Sequence, residues 1–249
     1  MEAYGYKKQI IEKLSNIDNN SDNFHGSIPS TLVGKYDVMF RGYNYNINNT
    51  DIVCVSDFLL NKYKKYSVNW TLSTNKHSNT NIIYNEVFNH IINNSKKYKN
   101  VVFTGSSAGG FPSIKFASFF NATAIIANSQ LYLENYVNNK GLLAINNYID
   151  NDDEVIYKYK MIEEIILQSH PKKIIYYQNV NDIGPNPHNS YNDFLQFKMF
   201  IKNNNLNEIC DFNSFETDLY DKRNQHSIQY PNNKSHMNIL QEFFVYDTS

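Results

Sequence analysis

Cysteine, arginine, proline and glycine are all scarce in this chain, and each shortage closes off a class of protein. Two cysteines in 249 residues, Cys54 and Cys210, are too few for a disulfide framework. Both lie in apolar, strand-like runs, so buried free thiols in a reducing compartment are expected. Arginine occurs only at Arg41 and Arg223, the basic residues are scattered, and the formal net charge is -1. No broad positive field exists to hold a phosphate backbone, which argues against a nucleic-acid partner. The 6 prolines and 9 glycines form no cluster that would mark a linker. No apolar run approaches the ~20 residues of a membrane span. The opening segment MEAYGYKKQIIEKL lacks a continuous apolar stretch ahead of a small-residue cleavage site. A soluble, cytoplasmic protein without a transmembrane segment is the expectation.

What is present favours one large domain over residues 1–249. Hydrophobic residues make up 41% and charged residues 19% of the chain, enough apolar material for a packed interior and too little charge for a disordered one. Asparagine is abundant and there are 20 tyrosines. An AT-rich coding sequence produces that bias, and so does a groove in which flat rings stack on sugars and amides bond hydroxyls. Short apolar runs at 35–40, 52–55, 68–72, 101–104, 122–127 and 172–177 read as strands buried on both faces. Between them lie helical periods: Ile83, Val87 and Ile91 after a cap at Asn79, and Phe194, Phe197 and Ile201. Alternating strands and helices predict a mostly parallel sheet flanked by helices on both faces. Residues 131–168 read as helices without an intervening strand, and form either a lid over the carboxyl ends of the strands or ordinary covering helices.

The most specific pattern is Val101-Val102-Phe103-Thr104-Gly105-Ser106-Ser107-Ala108-Gly109-Gly110, followed by an amphipathic run from Phe111 to Phe120. A buried strand, a sharp Gly-x-Ser-x-Gly turn and a helix together make a nucleophile elbow, the signature of the α/β-hydrolase fold. The central serine takes a strained backbone, so the residues two before and two after it must be small, and Gly105 and Gly109 meet that need. This spacing selects Ser107 over Ser106. The alternative is a glycine-rich turn that only binds phosphate.

A serine hydroxyl becomes nucleophilic when a histidine takes its proton and an acid fixes that histidine's tautomer. In this fold the acid and then the histidine follow the serine. Asp182 lies in the loop after the strand at 172–177 and is the candidate acid, ahead of Asp193 inside the next helix and Asp211 beside the next strand. His236 follows the last strand and opens the last helix, Met237 to Val245, which makes it the candidate base, with His226 as runner-up. His188 could support the acid loop, and His25, His77, His90 and His170 lie in the wrong places. The oxyanion hole is expected from the Ala108 amide together with an amide of Arg41 or Gly42, after the strand at 35–40. No close His/Cys/Asp spacing suggests a metal site.

Phe40-Arg41-Gly42, the elbow, the strand at 124–127 ending in Asn128-Ser129-Gln130, Asp182 in a Gln-Asn-x-x-Asp loop and the late His236 together give a resemblance over residues 35–245. The chain resembles bacterial α/β-hydrolase proteins encoded with surface-polysaccharide machinery, some of which are capsule sugar O-acetyltransferases. The resemblance implies an acetyl group passing from acetyl-CoA to Ser107 and then to a carbohydrate hydroxyl deprotonated by His236. No basic cluster for the phosphates of coenzyme A is evident. An esterase would use the same three residues, and a non-catalytic glycan-binding domain of this fold is the third possibility.

Overall fold

The structure is a computed structural model, and it describes residues 23–27, 32–33, 37–38, 50–54, 89, 98–132, 135, 162–183, 190–217 and 230–246. Its centre is a parallel sheet in the order β4-β1-β5-β6-β7-β8. The strands are β1 (Asn23–Ser27), β4 (Thr50–Cys54), β5 (Asn100–Ser106), β6 (Thr123–Ala127), β7 (Lys173–Asn179) and β8 (Cys210–Phe215). The two-residue strands β2 (Leu32–Val33) and β3 (Asp37–Val38) form a separate antiparallel pair. Four helices are described: α1 (Gly110–Phe120), α2 (Ile162–Gln168), α3 (Ser190–Asn203) and α4 (His236–Tyr246).

Register decides which side chains meet which helix. Val102, Ile125 and Ala127 project to one face of the sheet and pack against Ile239, Leu240 and Phe244 of α4, with Tyr230 and Tyr177 in the same cluster. Side chains alternate along a strand, so Phe103, Ala124 and Tyr176 take the opposite face. There Phe103 meets Phe116 and Phe120 of α1, with ring centroids 6.1 and 5.9 Å away. Tyr176 meets Phe194 of α3 edge-on at 5.1 Å and Phe197 at 6.1 Å. Helix α2 packs on α1 and buries Ile162, Ile165 and Ile166. No described helix is long and apolar enough to cross a membrane.

Most of the expected strands are found, with shifted ends. The run at 52–55 is the end strand β4, and the runs at 101–104, 122–127 and 172–177 are β5, β6 and β7. The run at 35–40 departs from expectation: its described part, Asp37–Val38, pairs with Leu32–Val33 outside the main sheet. The strand beside β5 is instead β1, Asn-Phe-His-Gly-Ser, in parallel register with β4 on one side and β5 on the other. Two flanking ladders satisfy its backbone on both edges, and that pairing places a strand where side-chain hydropathy gives no sign of one. The run at 68–72 and the stripe Ile83, Val87, Ile91 lie outside the described residues, although Asn89 nearby is helical. Of the stretch 131–168, Leu131, Tyr132, Asn135 and 162–168 are described, and the remainder of the candidate lid is not. Cys210 is a buried free thiol, and burial pushes its pKa well up.

Phe197 is fully buried and its ring lies against those of Tyr176, Phe200 and Phe212. Phe197→Ala is expected to lower unfolding stability by about 3–5 kcal/mol, seen as a shift of the urea midpoint at unchanged slope.

Candidate active site

Strand β5 runs into a 3-10 turn, Ser107–Gly109, that leads directly into α1. Ser107 stands at the bend with φ 53°, a left-handed backbone that costs a non-glycine residue on the order of 1–3 kcal/mol. Two hydrogen bonds and two close approaches hold it there. Its carbonyl accepts the Gly110 N–H and, at 3.0 Å, the Gln130 N–H. A Cβ on Gly105 would fall 2.1 Å from the Gly109 carbonyl oxygen, so only glycine lets the strand pass under the turn. A Cβ on Gly110 would fall 2.0 Å from Ser129 Oγ. Gly110 must therefore also be small, because the chain leaving β6 crosses the head of α1 at Ser129. Gly109 contributes its carbonyl, which also accepts the Ser113 hydroxyl at 2.8 Å. Ala108, whose amide is the first oxyanion candidate, is buried directly after Ser107.

Across the sheet, Ser106 pairs with Ala127 and Ala127 with Tyr177, so the last residues of β5 and β6 share one row with Tyr177 of β7. Asn128, also left-handed with φ 43°, donates its amide to the Tyr177 carbonyl at 3.0 Å and accepts the Asn179 N–H on Oδ1 at 2.8 Å. The Tyr176 hydroxyl donates to the Ser129 carbonyl at 3.2 Å, and burial keeps its pKa well above the ordinary value. Gln130 is thereby fixed, 4% exposed, with Nε2 donating to Ser107 Oγ at 3.3 Å.

Asp182 lies three residues beyond β7 and is 3% exposed. Its loop is tied to the end of β8: the Val180 N–H donates to the Phe215 carbonyl at 2.9 Å, and Asn181 Nδ2 donates to the Thr217 carbonyl at 2.6 Å. One carboxylate oxygen accepts the Ser190 hydroxyl, and Ser190 Oγ accepts Gln178 Nε2 at 2.9 Å. Asp193 has a different occupation. Its Oδ2 accepts the Leu131 and Tyr132 amides at 2.7 and 3.0 Å, and its Oδ1 accepts Asn135 Nδ2 at 2.9 Å, so it clamps the chain after β6 onto α3. Asp211 lies within β8, exposed, and pairs with Lys173 at 2.8 Å.

His236 is the first residue of α4. Ser235 caps that helix, accepting the Asn238 N–H at 3.2 Å while Asn238 Oδ1 accepts the Ser235 N–H at 3.0 Å. The imidazole is placed at the carboxyl edge of the sheet through two rings: Tyr177 lies edge-on to Tyr230 at 5.1 Å, and Tyr230 lies 5.4 Å from His236. Nδ1 of His236 shares a hydrogen bond with the Tyr230 hydroxyl. Tyr177 itself lies two strands from Ser106, about 10 Å at ordinary strand spacing. His170 lies on an exposed loop after α2, and His25 is in β1. His77, His90, His188 and His226 lie outside the described residues, as do Arg41 and Gly42. The connection from β1, the strand beside the elbow, to β4 spans residues 28–49 and so includes Arg41 and Gly42.

No known protein family and no curated protein matches the sequence. Among solved structures, the chain superimposes on esterase B from Lactobacillus rhamnosis, solved with a C4-C4 SN3 tributyrin phosphonate. The TM-score is 0.54 at 9% identity, over 93% of this chain and 77% of that one. This chain has the α/β-hydrolase fold. An acylaminoacyl peptidase from Pyrococcus horikoshii aligns with a TM-score of 0.49 at 14% identity, covering 91% of this chain and 37% of the peptidase. Within the α/β-hydrolase fold, the positions of Ser107, Asp182 and His236 follow β5, β7 and β8 in the chain order serine, acid, histidine. Ser190 and Tyr230 are polar neighbours that no motif announced, and Gln130, quoted only as part of the pattern after the strand at 124–127, had no role assigned to it.

Gly110→Ala is expected to force Ser129 and the head of α1 apart and to lower stability by about 1–3 kcal/mol or more, measured by urea unfolding. Ser129→Gly in the same protein should restore much of the loss, because the clash is with that side chain.

Proposed function

We propose that the protein is a serine hydrolase of the esterase type, with Ser107 as nucleophile, His236 as general base and Asp182 as the acid that orients it. The observation that carries this reading is the left-handed backbone of Ser107 at a strand-to-helix bend that tolerates only glycine at 105 and 110. A backbone held in that state by crossing chains is the geometry that presents a serine hydroxyl above a sheet.

Nε2 of His236 takes the Ser107 proton as Oγ bonds to the ester carbonyl carbon. The carbonyl electrons move to oxygen, which the Ala108 amide and a second amide, at Arg41 or Gly42 in the segment between β1 and β4, stabilise. The tetrahedral species collapses to an acyl-serine, and the alcohol leaves with the proton from His236. Water, deprotonated by the same imidazole, then releases the carboxylic acid and restores Ser107. For Nε2 to act as base, Nδ1 must carry the proton and donate it to an acceptor, the role proposed for the Asp182 carboxylate, and the Tyr230 hydroxyl is a second polar partner at that nitrogen. Short-chain acyl esters are the first substrates to offer, by analogy with the phosphonate held by esterase B. Transfer of an acetyl group from acetyl-CoA to a carbohydrate hydroxyl uses the same three residues, with the sugar in place of water. It rests on the sequence resemblance alone.

Intact mass spectrometry after a fluorophosphonate probe should show one adduct that Ser107→Ala abolishes, and the wild type should hydrolyse p-nitrophenyl acetate. His236→Ala should lower kcat by at least ~10³. Acetylation of Ser107 by acetyl-CoA, with slow loss of the acetyl group to water, would move the assignment to the transferase. Absence of both adducts would remove the enzymatic reading. Tyr230→Phe should cost about tenfold in kcat, the equivalent of one lost hydrogen bond, with little change in KM.

A further inference from the structure

Gln130 is the one described side chain seen to donate a hydrogen bond to the oxygen that would react. Its Nε2 donates to Ser107 Oγ at 3.3 Å while its main-chain N–H donates to the Ser107 carbonyl at 3.0 Å, so one residue grips the nucleophile at both ends. The grip is rigid on either side. Two residues before it, Asn128 is pinned to Tyr177 and Asn179, and Ser129 is held by the Tyr176 hydroxyl. One and two residues after it, the Leu131 and Tyr132 amides are anchored on Asp193. A side chain set this way and almost wholly buried meets the substrate without first having to be ordered.

We infer that Gln130 is a catalytic residue whose side-chain amide donates to the oxyanion of the tetrahedral intermediate formed on Ser107. This rests on the serine-hydrolase reading above and deepens it. When Oγ bonds to the carbonyl carbon, the new oxyanion sits one atom further on, a little over 2 Å from Oγ by ordinary bond geometry. An N–H donor 3.3 Å from Oγ reaches that oxygen by a small side-chain rotation. At rest the bond is long for an amide donor and therefore weak. It strengthens as negative charge develops, which is the differential stabilisation that raises kcat without tightening substrate binding. The amide exchanges no proton: the Oγ proton goes to His236, the carbonyl electrons go to the oxyanion, and the Gln130 N–H only donates. Holding Oγ in place before attack is the ground-state half of the same contact.

The test uses the full-length protein and two variants, Gln130→Met, which keeps the length and removes the donor, and Gln130→Glu, which keeps the shape and opposes the charge. Hydrolysis of p-nitrophenyl acetate is compared with inhibition by an alkylboronic acid, which forms a tetrahedral adduct on the serine. Gln130→Met should lower kcat by about 10²-fold, with KM within about threefold, and weaken the boronate by a similar factor. Gln130→Glu should be at least as impaired, and it supplies the same reading should the Met variant fail to fold. A purely structural glutamine would move the urea midpoint yet leave kcat and boronate affinity within threefold in folded protein, and that result overturns the inference. A wild type that takes no fluorophosphonate instead defeats the serine-hydrolase reading itself.

Discussion

A serine at φ 53° returns to ordinary backbone unless its surroundings forbid it, and here the prohibition comes from the chain leaving β6. Ser129 presses on the head of α1 so closely that Gly110 has no room for a methyl group, while the Gln130 amide bonds the Ser107 carbonyl from the other side. The strand, the bend and the helix are thus held by a segment over twenty residues later in sequence. The bend that carries the half-buried Ser107 and the buried Ala108 after it depends on that crossing.

The carboxyl edge of the sheet shows how polar residues can be interior. Asn128 and Asn179 bridge the ends of β6 and β7, and Asn179 Nδ2 goes on to Thr217 Oγ1 at 2.9 Å beyond β8. Gln178 is fully buried, and its Nε2 donates to Ser190 and to the Asn179 carbonyl. Its Oε1 has no hydrogen-bond partner among the described residues. Loops that carry chemistry must end in polar backbone, and these side-chain amides supply the partners that water would otherwise provide.

The parts of the fold that were legible in the sequence are those where side-chain pattern and backbone pairing agree. Strand β5, the Gly105-x-Ser107 bend and α1 announce themselves because a continuous apolar run meets a glycine-framed serine. The Phe194, Phe197, Ile201 stripe marks α3 because three turns of it face Tyr176 and the rest of the core. Strand β1 was illegible because its place is set by ladders on both edges and not by apolar side chains. Strand β7 was read two residues short because Gln178 and Asn179 are polar yet wholly buried. Of the candidate residues, the order serine, acid, histidine came from chain order alone. The grip of Gln130 on Ser107 had no sequence signal, since it depends on the left-handed turn at Asn128 and the crossing it allows.

Ser190 and Asp193 lie three residues apart on the opening turn of α3 and so face the same way. One steadies the loop of Asp182 and the other fastens the main chain that carries Gln130 past the bend. Asp193 takes hold of peptide groups, which every residue except proline provides, so this contact needs the carboxylate but no particular side chain at 131 or 132. The opening turn of one helix therefore serves both the loop of the proposed acid and the chain beside the nucleophile, and a change that unwinds that turn would disturb the two together.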